Sequence, residues 1–108
     1  HIPHGRANAV VLPHVFEFHR DVCEVRLAQL AKNIGLVGVN SSAAHATDAL
    51  LMAIDKLMEQ LNVERKVKEL KLEDHQSIVK AALKEAHGMY SIPKYMQITD
   101  AYDVLKAL

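Results

Sequence analysis

The sequence predicts an all-α fold, a bundle-like domain of about five to six helices, and two observations carry that reading. Half of the 108 residues are apolar, yet Ala, Leu, Lys and Glu outweigh aromatic and β-branched types, with only four Gly and three Pro to interrupt them. Apolar residues recur every three or four positions along most of the chain, and no stretch shows the alternation of a half-buried strand.

Each element follows from its own signals. In "GRANAVVLPHVFEF", Gly5 to Phe18, the residues Ala9, Leu12, Val15 and Phe16 recur at helical spacing. Pro13 lies inside, removing one backbone hydrogen bond, so the helix is expected to kink or split there. "DVCEVRLAQLAKNIG" reads as a second helix opened by Asp21 and closed by Gly35, with Val22, Val25, Leu27, Leu30, Ala31 and Ile34 on one broad face. "LVGVNSS" supplies a stop, and Asn40, Ser41 or Ser42 caps the next helix. That helix, "AAHATDALLMAIDKLMEQL", carries the strongest periodicity, with Ala46, Leu50, Ala53, Ile54, Leu57, Met58 and Leu61 directed at a core. The Met52, Leu57 and Met58 grouping reads as core too. "VERKVKEL" forms a short helix or a turn. "LEDHQSIVKAALKEAHG" is a helix closed by Gly88, and "TDAYDVLKAL" is a last helix capped by Thr99 or Asp100. No internal repeat or low-complexity tract divides the chain.

Composition narrows the function classes. Thirteen basic and thirteen acidic side chains cancel, so no bulk attraction to nucleic acid or an anionic membrane is expected. The lone Cys23 excludes an intramolecular disulfide and, with no signal-like segment at the start, fits a reducing, cytoplasmic setting. The longest apolar runs are interrupted well short of a membrane span, which predicts a soluble protein.

The chemistry turns on the histidines, since seven is a surplus and imidazole is a common metal ligand. His14 and His19 are five apart, roughly 140° around a helix, and do not face one ion together. His45, His75 and His87 each stand alone and read as surface or packing residues. Cys23 has no His or second Cys beside it to activate a thiol. His4 differs. It forms one of two histidines around Ile2-Pro3, Pro3 fixes the backbone before it, Gly5 admits another element closely, and a helix opens there. A histidine held rigidly at a helix start suits one corner of a metal site. Asn8 reads as capping or orienting backbone or as a hydrogen-bonding neighbour of that pocket, Arg6 as a solvated side chain in preference to one facing a phosphate or acidic group across the cleft, and "NVERKVKELKLEDH" as a solvated, ion-paired surface.

The stretch "IPHGRANAVVLPHV" followed by "FEFH" resembles the Pro-His-Gly-x-x-Asn/Ala-Ala-x-x-Leu-Pro-x-Val motif of the helical domain of the iron-containing alcohol dehydrogenases. "RLAQLAKNIGL", "ALLMAIDKLMEQLNV" and "MYSIPKYMQITDAYDVLKAL" are similar to later helices of that domain, so the resemblance spans nearly the whole chain. It departs at His19, where Asn is common, at Asn62-Val63 in place of a Gly-Ile-Pro turn, and at Ile92-Pro93-Lys94 in place of Asn-Pro-Arg.

The resemblance implies that residues 1–108 are part of the C-terminal helical domain, with His4 the last of a ligand set of one Asp and three His. The other ligands and the dinucleotide-binding domain then lie upstream of this sequence. The complete enzyme is expected to hold Fe2+, or Zn2+ or Ni2+ in its place, and to use NAD or NADP. Its reaction interconverts alcohols and aldehydes or ketones by hydride transfer, and it works as a homo-oligomer. The chain by itself is expected to be inactive and to bind no cofactor tightly. The competing expectation is a stand-alone helical interaction module without catalysis, which has no need of a rigid Pro-His-Gly at its edge, whereas a divided metal site does.

Overall fold

The structure, a computed structural model, describes residues 3–89 and 92–108. His1, partner of His4 in the opening pattern, and Tyr90-Ser91 of the closing motif lie outside the described residues.

Four α-helices make up the fold: α1 (His4–Asn33), α2 (Ala43–Gln60), α3 (His75–Met89) and α4 (Ile98–Ala107), with a 3-10 turn at Leu72–Asp74 leading into α3. There is no strand among the described residues. The two helices expected before residue 35 are one. Pro13 sits inside α1, where its missing N–H leaves the Ala9 carbonyl without an i+4 donor. The flanking residues are adequate helix formers and no glycine intervenes before Gly35, so one lost bond does not end the helix. The count therefore falls below five to six. Of the two readings of "VERKVKEL", the turn holds: the Leu70 N–H donates to the Val67 carbonyl at 3.2 Å, and the Val67 N–H donates to the Leu108 carbonyl at 2.9 Å, committing the backbone to a tertiary contact.

The helix ends follow local chemistry. Ser42 Oγ accepts from the His45 N–H at 3.1 Å at the start of α2. α1 and α2 both close in Schellman motifs. Leu36 N–H bonds the Ala31 carbonyl around Gly35 (φ +80°), and Val63 N–H bonds the Met58 carbonyl around Asn62 (φ 57°). Two expectations need correction. Gln97, not Thr99 or Asp100, caps α4, and Asp100 is its reciprocal partner, accepting from the Gln97 N–H at 2.9 Å. Gly88 lies inside α3, which runs on to Met89 without a left-handed residue at that glycine.

The core is built on small residues. Ala28 and Ala31 of α1 meet Ala46 and Leu50 of α2, flanked by Leu27, Val37, Ala43 and Ile54. Alanine lets two helix backbones approach closely, so α2 docks on the alanine stripe of α1. Of the broad face expected on this part of α1, Ala31 and Leu27 do turn to the seam, while the residues beside them stay outside: Val25 is 75% exposed, and Val22, Leu30 and Ile34 are exposed with it. On α2, Met58 is buried as expected, but Met52 is 70% exposed and Leu57 also faces out. Polar groups complete the seam. The buried Thr47 donates to the Glu24 carbonyl at 3.2 Å. Arg20 bridges Glu24, Asp48 and the Ala44 carbonyl.

Thirty residues at about 1.5 Å each make α1 about 45 Å long, which accounts for the 46 Å long axis. The radius of gyration, 15.2 Å, exceeds the roughly 13 Å of a compact domain this size. The shape is that of a long rod with shorter helices laid along it.

Candidate functional site

His4 is the first residue of α1. Pro3 before it is extended, with φ −54° and ψ 138°, and the Pro3 carbonyl accepts from the Ala7 N–H at 3.0 Å, closing the first turn. The His4 ring is exposed, and its Nε2 lies 3.0 Å from Asn8 Nδ2, one turn along the helix. The sequence allowed Asn8 two roles, and the structure gives it the one beside His4.

Of the two readings of Arg6, the acidic partner holds and the free solvated side chain does not. Arg6 donates to Glu64 at 2.9 Å and to Glu69 at 3.2 Å, tying the start of α1 to the turns that follow α2. A bond from its own backbone N–H, and then Arg6, hold the Glu69 carboxyl below its usual range. Gly5, Arg6, Ala9, Asn62, Val63 and Glu64 line an open depression of about 480 Å3 beside His4. Among the described residues, no heavy atom beyond its chain neighbours and the helix's own backbone stands within 4 Å of where a Cβ on Gly5 would lie. The chain's own packing therefore does not call for a glycine there.

The remaining histidines are scattered. His14 lines a shallow depression with Asp100 and Asp103. His19 packs edge-on against Phe18, with ring centroids 5.1 Å apart, and His87 stacks on Tyr95 at 4.0 Å. His45 is exposed. His75, read as surface or satisfied packing, is buried to 6% exposure with Nδ1 lacking a hydrogen-bond partner among the described residues. Cys23 is a free, half-buried thiol. No three His, Cys, Asp or Glu side chains among the described residues converge as a metal-binding group. A lone imidazole on an exposed helical turn suits one corner of a divalent-metal site and supplies none of the others.

Sequence reasoning missed Lys94. Its Nζ donates to both Asp21 oxygens, at 3.0 and 3.2 Å, and sits 4.6 Å from the Phe18 ring centroid. The bond from Lys94 holds the Asp21 carboxyl below the usual range. Opposite charges 73 positions apart leave no local pattern to read.

The family described as "Fe-containing alcohol dehydrogenase family, C-terminal" matches residues 1–108. The chain belongs to the iron-containing alcohol dehydrogenase family. It is 35% identical over 69 residues to the NADPH-dependent butanol dehydrogenase of Clostridium saccharobutylicum, a match covering 64% of this chain and 17% of that protein. It is 56% identical over 32 residues to the probable alcohol dehydrogenase EutG of Escherichia coli K12, covering 30% of this chain and 8% of that one. The matches thus span less than a fifth of these relatives' lengths. No solved structure matches the chain. Asn62, in the turn after α2, has a left-handed backbone (φ 57°). Lys94 places a cation against Asp21 of α1. No helix of the described residues is long and apolar enough to cross a membrane.

Proposed function

We propose that this chain is the C-terminal portion of the helical domain of a metal-dependent, NAD(P)-linked alcohol dehydrogenase, and that His4 is one ligand of its metal. The carrying observation is the position of His4: exposed, on the first turn of a 30-residue helix, inside the Pro-His-Gly segment of a chain matched throughout by the family. The open space over Gly5 adds support, since room is kept where a further element would approach.

The ligand is Fe2+, with Zn2+ and Ni2+ as chemically acceptable substitutes for an imidazole donor. When bound, such an ion supplies Lewis-acid polarisation of an alcohol hydroxyl, and the nicotinamide supplies the hydride acceptor. His4 contributes a ring nitrogen and a fixed starting point on α1. Arg6 anchors that turn against Glu64 and Glu69. The 108-residue chain alone holds one donor and has no dehydrogenase activity. The complete enzyme takes an alcohol or aldehyde substrate and assembles as a homo-oligomer.

The test uses the intact enzyme carrying this segment. His4→Ala is expected to lose iron by more than the roughly 10–100-fold that outer-shell changes cost, and to lose alcohol-dependent reduction of NAD or NADP with it. Retention of stoichiometric iron by that variant would refute the ligand role. The second reading, an interaction module, is favoured by the exposed apolar side chains, among them the groove of about 450 Å3 beside Met52. An intact mass of the expressed protein separates the two. A mass several times 12.0 kDa supports the enzyme, and a mass equal to it supports the module.

A further inference from the structure

The Asn8 amide nitrogen lies 3.0 Å from His4 Nε2. Helical side chains lean toward the N-terminus, so a residue at i+4 reaches back over the turn of residue i, and Asn8 is placed to hold the His4 ring. The chemistry of the contact sets its direction. An amide NH2 only donates, so Nε2 must be the acceptor and the ring proton must sit on Nδ1.

We infer that Asn8 is a positioning residue that selects the His4 tautomer, keeping the ring's lone pair on Nε2 and its proton on Nδ1. The inference rests on the reading of His4 as a metal ligand. A neutral imidazole ligates through the nitrogen that carries no proton, and the bond made by the other nitrogen or its neighbours decides which one that is. In water the Nε2–H tautomer of a free histidine side chain predominates, so an unrestrained His4 would present Nδ1, the nitrogen closer to the helix backbone. With Asn8 in place the outer nitrogen is the one offered. The amide hydrogen occupies the position that a cation would take and yields it without any proton leaving the ring. The Asn8 side chain makes no other hydrogen bond among the described residues, and Gly5 beside His4 adds no side chain to crowd the ring.

The experiment is nitrogen-15 NMR of the seven histidine rings in the full 108-residue chain, with His4 assigned by comparison with His4→Gln. The wild-type chain is expected to show His4 with a protonated Nδ1 and a pyridine-type Nε2. In Asn8→Ala the ring is expected to revert to a majority Nε2–H form. In Asn8→Asp a carboxylate, which only accepts, should complete that reversal. A wild-type His4 protonated on Nε2 would overturn the assignment, since the amide would then be turned with its oxygen toward the ring. So would a tautomer indifferent to all three residues at position 8. A merely structural asparagine would not move this signature. Because the readout needs no metal, it decides the role of Asn8 separately from the iron retention that tests His4.

Discussion

At the scale of single residues, the strongest functional hints are positions that the chain's own packing leaves unexplained. Gly5 is one. It lies in the first turn of α1 with open space where a Cβ would be, and glycine in a helix costs up to about 1 kcal/mol relative to alanine. Gly5→Ala is therefore expected to leave the thermal stability of this chain unchanged or raise it by up to about 1 kcal/mol, while lowering the activity of the intact enzyme. A variant as active as the wild type would remove the case for close approach at that point. Asn62 is the converse, a residue whose identity is fully explained. Its left-handed backbone is needed to close α2, and asparagine tolerates that region better than most residues. It was legible as a substitution within the family's turn, whereas the hold of Asn8 on His4 was not, because an i,i+4 spacing permits that contact without requiring it.

At the scale of elements, the end of α1 and the start of α2 were more legible than the faces that meet between them. Ser42 and Gly35 act within three or four residues of themselves, and both stand where the sequence places them. The α1–α2 seam was misread because α1 carries apolar residues on more than one side. The seam took Ala28, Ala31 and Leu27 and left Val22, Val25 and Leu30 outside, since Ala28 and Ala31 allow close backbone approach to Ala46. Enlarging that stripe tests the account. Ala31→Leu, at a site with no exposed surface, is expected to cost about 1–3 kcal/mol by overpacking. Val25→Ala, on the face once expected to be core, should stay within about 0.5 kcal/mol. Urea denaturation of both variants gives the comparison, and equal losses would place the core elsewhere.

At the scale of the whole molecule, distant charges hold the shorter segments to the α1 rod. Lys94 joins the segment before α4 to Asp21, and Arg6 joins the turns after α2 to the start of α1. The folded Asp21 carboxyl titrates below its usual value chiefly because Lys94 donates to it. Its contribution to stability is therefore complete above the ordinary carboxylate range, near 3.9 for a free Asp, and is lost as pH falls through the lowered folded value. Lys94→Met is expected to return the Asp21 titration, followed by its side-chain carboxyl NMR signal, to the ordinary range and to flatten that part of the acid unfolding curve. An unmoved Asp21 titration would show that the pair is not formed in solution.

Local sequence alone made legible that the chain is helical, how α1 stops and α2 starts, and that Pro-His-Gly opens the first helix in a way that resembles one family. Each of these is decided by backbone propensity, capping or a motif confined to a few neighbouring residues. Packing in three dimensions settled that α1 runs unbroken through Pro13, that alanines and not valines meet α2, and that Lys94 and Arg6 find carboxylates far along the chain. Burial and ion pairing are properties of two surfaces that meet, and no local pattern in either one specifies the other.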